Sequence, residues 1–176
     1  MFKVILGIAL ILVIAILLYA WTRPSTFYVE RSTVIQAPPE KIFPLVDDFH
    51  QWGAWSPWEK LDPAMQRTFS GPASGKGAGY AWQGNKQVGQ GSMQITDTAA
   101  PNRVTIKLDF IKPFEGHNIT EIMLDPAQNG STAVKWTMQG PLSYPAKLFG
   151  VFVNMDKTIG KDFETGLANL KTASER

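Results

Sequence analysis

The sequence predicts an α+β domain in which a curved antiparallel sheet is followed by one long C-terminal helix, with a single membrane-spanning helix in front. Three observations carry this. An uncharged apolar run of 18 residues fills Val4 to Trp21. The middle of the chain alternates apolar and polar residues in segments separated by glycine- and proline-rich breaks, which is the period of strands. From Leu148 to Leu170 apolar residues recur every three or four positions, which is the period of a helix.

As a helix rising about 1.5 Å per residue, the apolar run spans roughly 27 Å, close to the thickness of a bilayer core. Tyr19 and Trp21 stand where interfacial aromatics belong, with Arg23 just beyond. A cleaved signal peptide needs small residues at −3 and −1, and the best site here offers Leu18 and Ala20 before Trp21. A retained single-pass anchor is therefore the expectation. The organisation is a flank at 1–3, the spanning helix at 4–21, a link at 22–26 and a domain at 27–176. A three-residue amino-terminal flank holding Lys3 favours a cytoplasmic N-terminus, which puts the domain on the outer, periplasmic or extracellular, side of the cytoplasmic membrane.

After the link, Phe27 to Gln36 alternates as a strand, and Ala37-Pro38-Pro39-Glu40 opens a helix with prolines in its first turn. Three of the six tryptophans then fall within Trp52 to Trp58, a segment with neither helical nor strand period. It reads either as a loop capping the core, with indole N–H groups bonded to nearby carbonyls, or as the rim of an apolar pocket. Seven of the fifteen glycines lie between Gly71 and Gly91. Their spacing falls one residue short of a phosphate-binding loop, and Gly77 stands where that loop needs a hydroxyl, so they are read as turns and bends of a curved sheet. Strands follow over Val88–Thr96, Val104–Phe110, His117–Leu124 and Thr132–Gln139, the last two joined by a turn at Asn129-Gly130. Leu148, Phe152, Met155, Ile159, Phe163, Leu167 and Leu170 mark one amphipathic helix, inside which Gly150, Gly160 and Gly166 imply close approach of a neighbour or a bend.

The chain has 176 residues, 18% charged and 44% hydrophobic, which excludes a disordered tail and suits one domain with its own core. Setting aside Lys3 and Arg23, which flank the apolar run, leaves 15 basic against 15 acidic residues. A neutral domain argues against nucleic-acid binding through a basic face. With no cysteine there is no disulfide, no thiolate nucleophile and no cysteine-ligated metal.

The order of elements, together with Val34-Ile35-Gln36-Ala37-Pro38-Pro39-Glu40-Lys41-Ile42-Phe43, Trp52 to Trp58, Gly77-Ala78-Gly79-Tyr80-Ala81-Trp82, Gly130 to Trp136 and Asp162 to Lys171, resembles the SRPBCC superfamily, also called START-like or helix-grip. Within it the closest likeness is to the polyketide cyclase/dehydrase-like branch. The resemblance covers about Phe27 to Lys171 and implies a seven-stranded antiparallel sheet wrapped around the long C-terminal helix, with an apolar cavity between them. The spanning helix lies outside that pattern.

Catalysis in such a cavity needs an acid or base presented inside it. Glu121 and His117 are the candidates, and neither is assigned a role: Glu121 faces inward only if Ile119 and Met123 do, whereas the opposite register puts Ile122 and Leu124 inside. Asp47-Asp48 and Asp162 with Glu164 read as helix-end or solvated charges. The two histidines lack the carboxylate spacing of a metal site, and no cofactor is implied. For binding, the candidate lining is Trp55, Trp58, Trp82, Phe110, Trp136, Met138, Phe152, Met155 and Phe163, each of which taken singly reads first as core. The expected function is binding of a hydrophobic small molecule or lipid beside the membrane. A cyclase- or dehydratase-type enzyme on the same cavity and a protein-interaction module presenting the tryptophan cluster remain the alternatives, and no protein partner is implied.

Overall fold

The structure is a computed structural model and describes residues 2–176. Helix α1 (Phe2–Thr22) carries the apolar run and stands clear of the sheet, with almost every side chain exposed. It is one apolar N-terminal helix of a length and composition that fit either a membrane anchor or a signal sequence.

The sheet has seven strands: β1 (Thr26–Ile35), β2 (Gln66–Ser70), β3 (Gly79–Gln83), β4 (Gln90–Ala99), β5 (Arg103–Lys112), β6 (Gly116–Pro126) and β7 (Thr132–Pro141). Their order is β1-β7-β6-β5-β4-β3-β2, with every neighbouring pair antiparallel. Between β1 and β2 lie helix α2 (Pro39–Asp47), with Pro39 in its first turn and Pro44 inside it, and two 3₁₀ turns holding the tryptophan cluster. The turn from β6 to β7 places Asn129 and Gly130 at positive φ, the backbone that asparagine and glycine tolerate best.

Each strand's alternation sends one set of side chains inward. Val104, Ile106 and Leu108 of β5, Ile122 and Leu124 of β6, and Val134, Trp136 and Met138 of β7 are all buried, and α4 (Met155–Ser174) covers them with Phe163, Leu167 and Leu170. This is the helix-grip arrangement that the element order implies. Arg31 of β1 clasps α4 from outside, bonding Asp156 at 3.0 Å and Glu164 at 2.8 Å.

The C-terminal segment departs from the expectation of one helix. It is two, α3 (Tyr144–Phe152) and α4, broken at Val153-Asn154. Val153 is extended, and the Asn154 side chain accepts the Lys157 N–H at 3.0 Å as an N-cap. Asn154 followed by Asp156 in the next turn is a helix-start signal, overridden in the sequence reading by an apolar stripe that runs unbroken through it. Two of the three helix glycines are explained by close approach. A Cβ on Gly166 would lie 2.7 Å from the Trp136 ring, and one on Gly160 would meet the Arg31 guanidinium, while Gly150 faces open space.

A cavity between the sheet and the C-terminal helices

The tryptophan cluster acts first as a cap on the core. Trp52 and Trp55 are buried, and their indole N–H groups donate to the carbonyls of Val46 at 3.2 Å and Leu45 at 2.7 Å, tying the 3₁₀ turns to the end of α2. Their rings continue through Trp136, which stacks flat on Phe163 with centroids 4.1 Å apart. Trp136 Nε1 donates at 2.9 Å to Thr120, whose hydroxyl donates in turn to the Thr137 carbonyl at 2.6 Å. The polar ends of these large side chains are thereby satisfied, which lets a polar network sit inside an apolar core without penalty.

Beyond this stack the helices do not fill the concave face of the sheet. A cavity of about 450 Å³ remains between the inner faces of β3 to β7, the second 3₁₀ turn, α3 and the start of α4. Six of the nine side chains proposed from sequence lie on its wall: Trp58, Trp82, Phe110, Trp136, Met138 and Met155. The other three do not. Trp55 and Phe163 are fully buried behind the wall, in the aromatic stack, and Phe152 points outward because the break after it turns α3 away from the line of α4.

Glu121 and His117 also lie outside the cavity. The register of β6 buries Asn118, Thr120, Ile122 and Leu124, so the alternate residues occupy the convex face. There Glu121 accepts the Thr105 hydroxyl at 3.0 Å, and His117 bonds Asp109 at 2.7 Å, which holds its imidazole above the usual histidine range. With Trp52 and Trp55 buried and Trp58 half-buried, the tryptophans form no exposed docking patch.

Three polar groups face the cavity: Glu59 and Asn118, which the sequence did not single out, and Asp162, expected from sequence to be a helix-end or solvated charge but turned onto the wall by the helical stripe it shares with Met155 and Ile159. Glu59, beside Trp58, accepts from the Tyr80 hydroxyl at 2.5 Å and from Arg67 Nε at 2.7 Å. Burial, then this bond to a carboxylate, raises the Tyr80 phenol above its ordinary range. Asp162 of α4 lies on the opposite wall. Burial pushes its carboxyl up, while the Trp58 indole N–H and Lys161 pull the other way. Asn118 projects from β6, buried and on the wall. Asp162 is one turn beyond Ile159 and two beyond Met155, so the helical stripe carried a signal for it, as the inward register of β6 did for Asn118. Glu59 sits in a loop with no period and could not have been found that way. Among the described residues no group of three potential metal-ligating side chains gathers. The result is a mainly apolar chamber with separate polar points, the pattern of small-molecule sites, where a few fixed hydrogen-bonding groups orient an otherwise apolar ligand.

A family model described as polyketide cyclase / dehydrase and lipid transport matches residues 26–175. No curated protein sequence matches the chain significantly. Among solved structures, a Chromobacterium violaceum protein is similar at a TM-score of 0.60 and 16% identity, over 88% of this chain and 99% of that one. The Aha1 dimer from Colwellia psychrerythraea is similar at 0.60 and 17%, over 85% and 96%. A Thermobifida fusca protein is similar at 0.62 and 19%, over 82% and 90%. At these identities the likeness is one of fold.

Proposed function

The chain belongs to the polyketide cyclase / dehydrase and lipid transport family, and on that footing we propose that it is a membrane-anchored domain that holds a hydrophobic small molecule or lipid in the cavity between its sheet and its C-terminal helices. The observation that carries this is the chamber of about 450 Å³ in an otherwise packed core. A natural core of this size leaves few voids larger than a water molecule, so an apolar space this large is a site rather than a packing defect.

Retention of α1 is supported by its packing. The Tyr144 hydroxyl of α3 donates to the Leu17 carbonyl at 3.0 Å, and Ala20 is fully buried. A segment removed after export would leave these partners unused. Lys3, ahead of the apolar run, supports an outer location for the domain.

The test uses the full chain in lipid nanodiscs, titrated with a fluorescent fatty acid that accepts energy from the cavity tryptophans. Saturable uptake of one probe per chain is expected, competed by unlabelled fatty acid and abolished by Leu108→Trp or Met138→Trp, which fill the chamber from β5 and β7. Absence of saturable uptake, or uptake indifferent to both fillings in variants that still fold by circular dichroism, would overturn the reading. In intact spheroplasts, an external protease should digest the domain; protection would reverse the sidedness.

A further inference from the structure

Outside α1, the two most exposed large apolar side chains are Phe152 (71%) and Phe114 (63%), and Phe149 is half exposed. They come from two elements far apart in sequence, α3 and the loop between β5 and β6, yet the rings of Phe114 and Phe149 lie 6.1 Å apart. Phe152 follows Phe149 by three residues and so shares its side of α3. Phe114 and Phe149 also line the cavity, so this apolar patch and the cavity mouth are one feature. Lys86 and Lys112 stand on the same rim, with Glu115 as the acid beside them.

The position of this rim along α1 is fixed by the hydrogen bond from Tyr144, the first residue of α3, to the Leu17 carbonyl. Leu17 precedes Trp21, the end of the apolar run, by four residues, which is about 6 Å of helix. Helix α3 therefore begins beside the last turn of α1, at the level where Tyr19 and Trp21 mark the boundary between hydrocarbon and headgroups. Phe149 and Phe152 follow Tyr144 by five and eight residues, within about 12 Å of that boundary along α3, and a patch of phenylalanines so close to it, flanked by lysines, has the composition of a surface that enters the interfacial layer and meets anionic headgroups.

We infer that Phe114, Phe149 and Phe152 form a bilayer-docking surface that, with α1, seats the cavity mouth on the headgroup layer of the membrane. The occupant is a lipid surface, and the inference rests on the reading of α1 as a retained anchor. Two attachments, one spanning and one lying in the interface, fix the domain's orientation, whereas the short link alone would let it tilt.

Because the chain has no cysteine, single labels can be placed without altering the background. Full-length F114C, F149C and F152C, each carrying an environment-sensitive fluorophore, would be reconstituted in nanodiscs of phosphatidylcholine and phosphatidylglycerol containing nitroxide-labelled lipid. Two further labels serve as references: Q128C, at the opposite end of β6, and L10C, in the middle of α1. The expected result is a blue shift at all three phenylalanine positions and quenching several-fold stronger than at Q128C, by nitroxides near the headgroup. L10C should be quenched by nitroxides deep in the acyl chains. If the rim labels behave like Q128C while L10C is quenched, docking fails with the anchor intact. If L10C is not quenched, the anchor reading itself fails and the docking inference falls with it.

Discussion

Replacing Trp136 tests the internal logic of the site, because this residue joins the core to the cavity wall. Trp136 is 2% exposed and stacks on Phe163 at 4.1 Å, with Trp55 and Trp58 meeting it edge-on at 5.3 and 5.8 Å. Truncation to alanine removes these contacts together and is expected to cost about 4 kcal/mol, the middle of the range for a buried tryptophan. Trp136→Phe keeps the stacked ring and loses the bond from Nε1 to Thr120. The Thr120 hydroxyl still donates to Thr137, so no buried donor is stranded, and the loss is about 1 kcal/mol for the bond and about 1 more for the missing ring atoms. At roughly 3 °C per kcal/mol for a domain of this size, the melting temperature should fall by about 12 °C in the first variant and about 6 °C in the second. Thermal unfolding of the full chain in detergent micelles, followed by circular dichroism, measures both. Since the removed atoms border the cavity, the new space joins it, and W136A should still take up the fatty-acid probe below its melting point. A W136A protein that melts with the wild type would refute the placement of Trp136 at the centre of the stack.

Two polar groups on the cavity wall give further expectations. Glu59→Gln removes the charge that faces both Tyr80 and Arg67, and leaves the half-buried guanidinium without its carboxylate, a destabilisation of about 2 kcal/mol. In an ultraviolet pH titration, with Tyr80→Phe identifying the signal, Tyr80 should then ionise at lower pH than in the wild type yet remain above free tyrosine, because burial persists; an unmoved Tyr80 would contradict the pairing. Asp162 binds its proton more tightly in the folded state than in the unfolded one, so ionisation opposes folding: its contribution is fully present below the ordinary aspartate pKa of 3.8 and is lost as pH rises through the raised folded value. Asp162→Asn should therefore melt higher than the wild type at neutral pH, with the difference closing toward pH 3.8, and a variant that is less stable at neutral pH would show the carboxylate to be held by partners instead.

Period was the legible part of this protein. Alternation in β5 and β7 announced which side chains face inward, since a strand permits only two faces and Val104, Ile106, Val134, Trp136 and Met138 cannot all face water, whereas in β6 both faces carry apolar residues and only the structure put Ile122 and Leu124 inside. The family resemblance supplied the number of strands and the place of the helix, both present in the structure. The same logic failed at Val153-Asn154, because an apolar stripe reports burial on one side and does not report whether the axis beneath it is continuous. That break sends Phe152 outward and Met155 inward although both lie on one sequence stripe.

By itself, the sequence determined a bilayer-length apolar helix, the faces of the strands, the glycine turns and a neutral domain, all properties encoded by neighbours along the chain. The tertiary structure decided which inward residues touch empty space and which touch each other. Trp58 and Trp55 are three residues apart, yet one lines the cavity and the other is sealed behind it, because the distance between the sheet and α3 is set by the sum of all the packing and not by either residue. Only the structure could bring Glu59 to Tyr80, Phe114 to Phe149, or Tyr144 to Leu17 of α1, since those meetings depend on how non-adjacent elements close on one another.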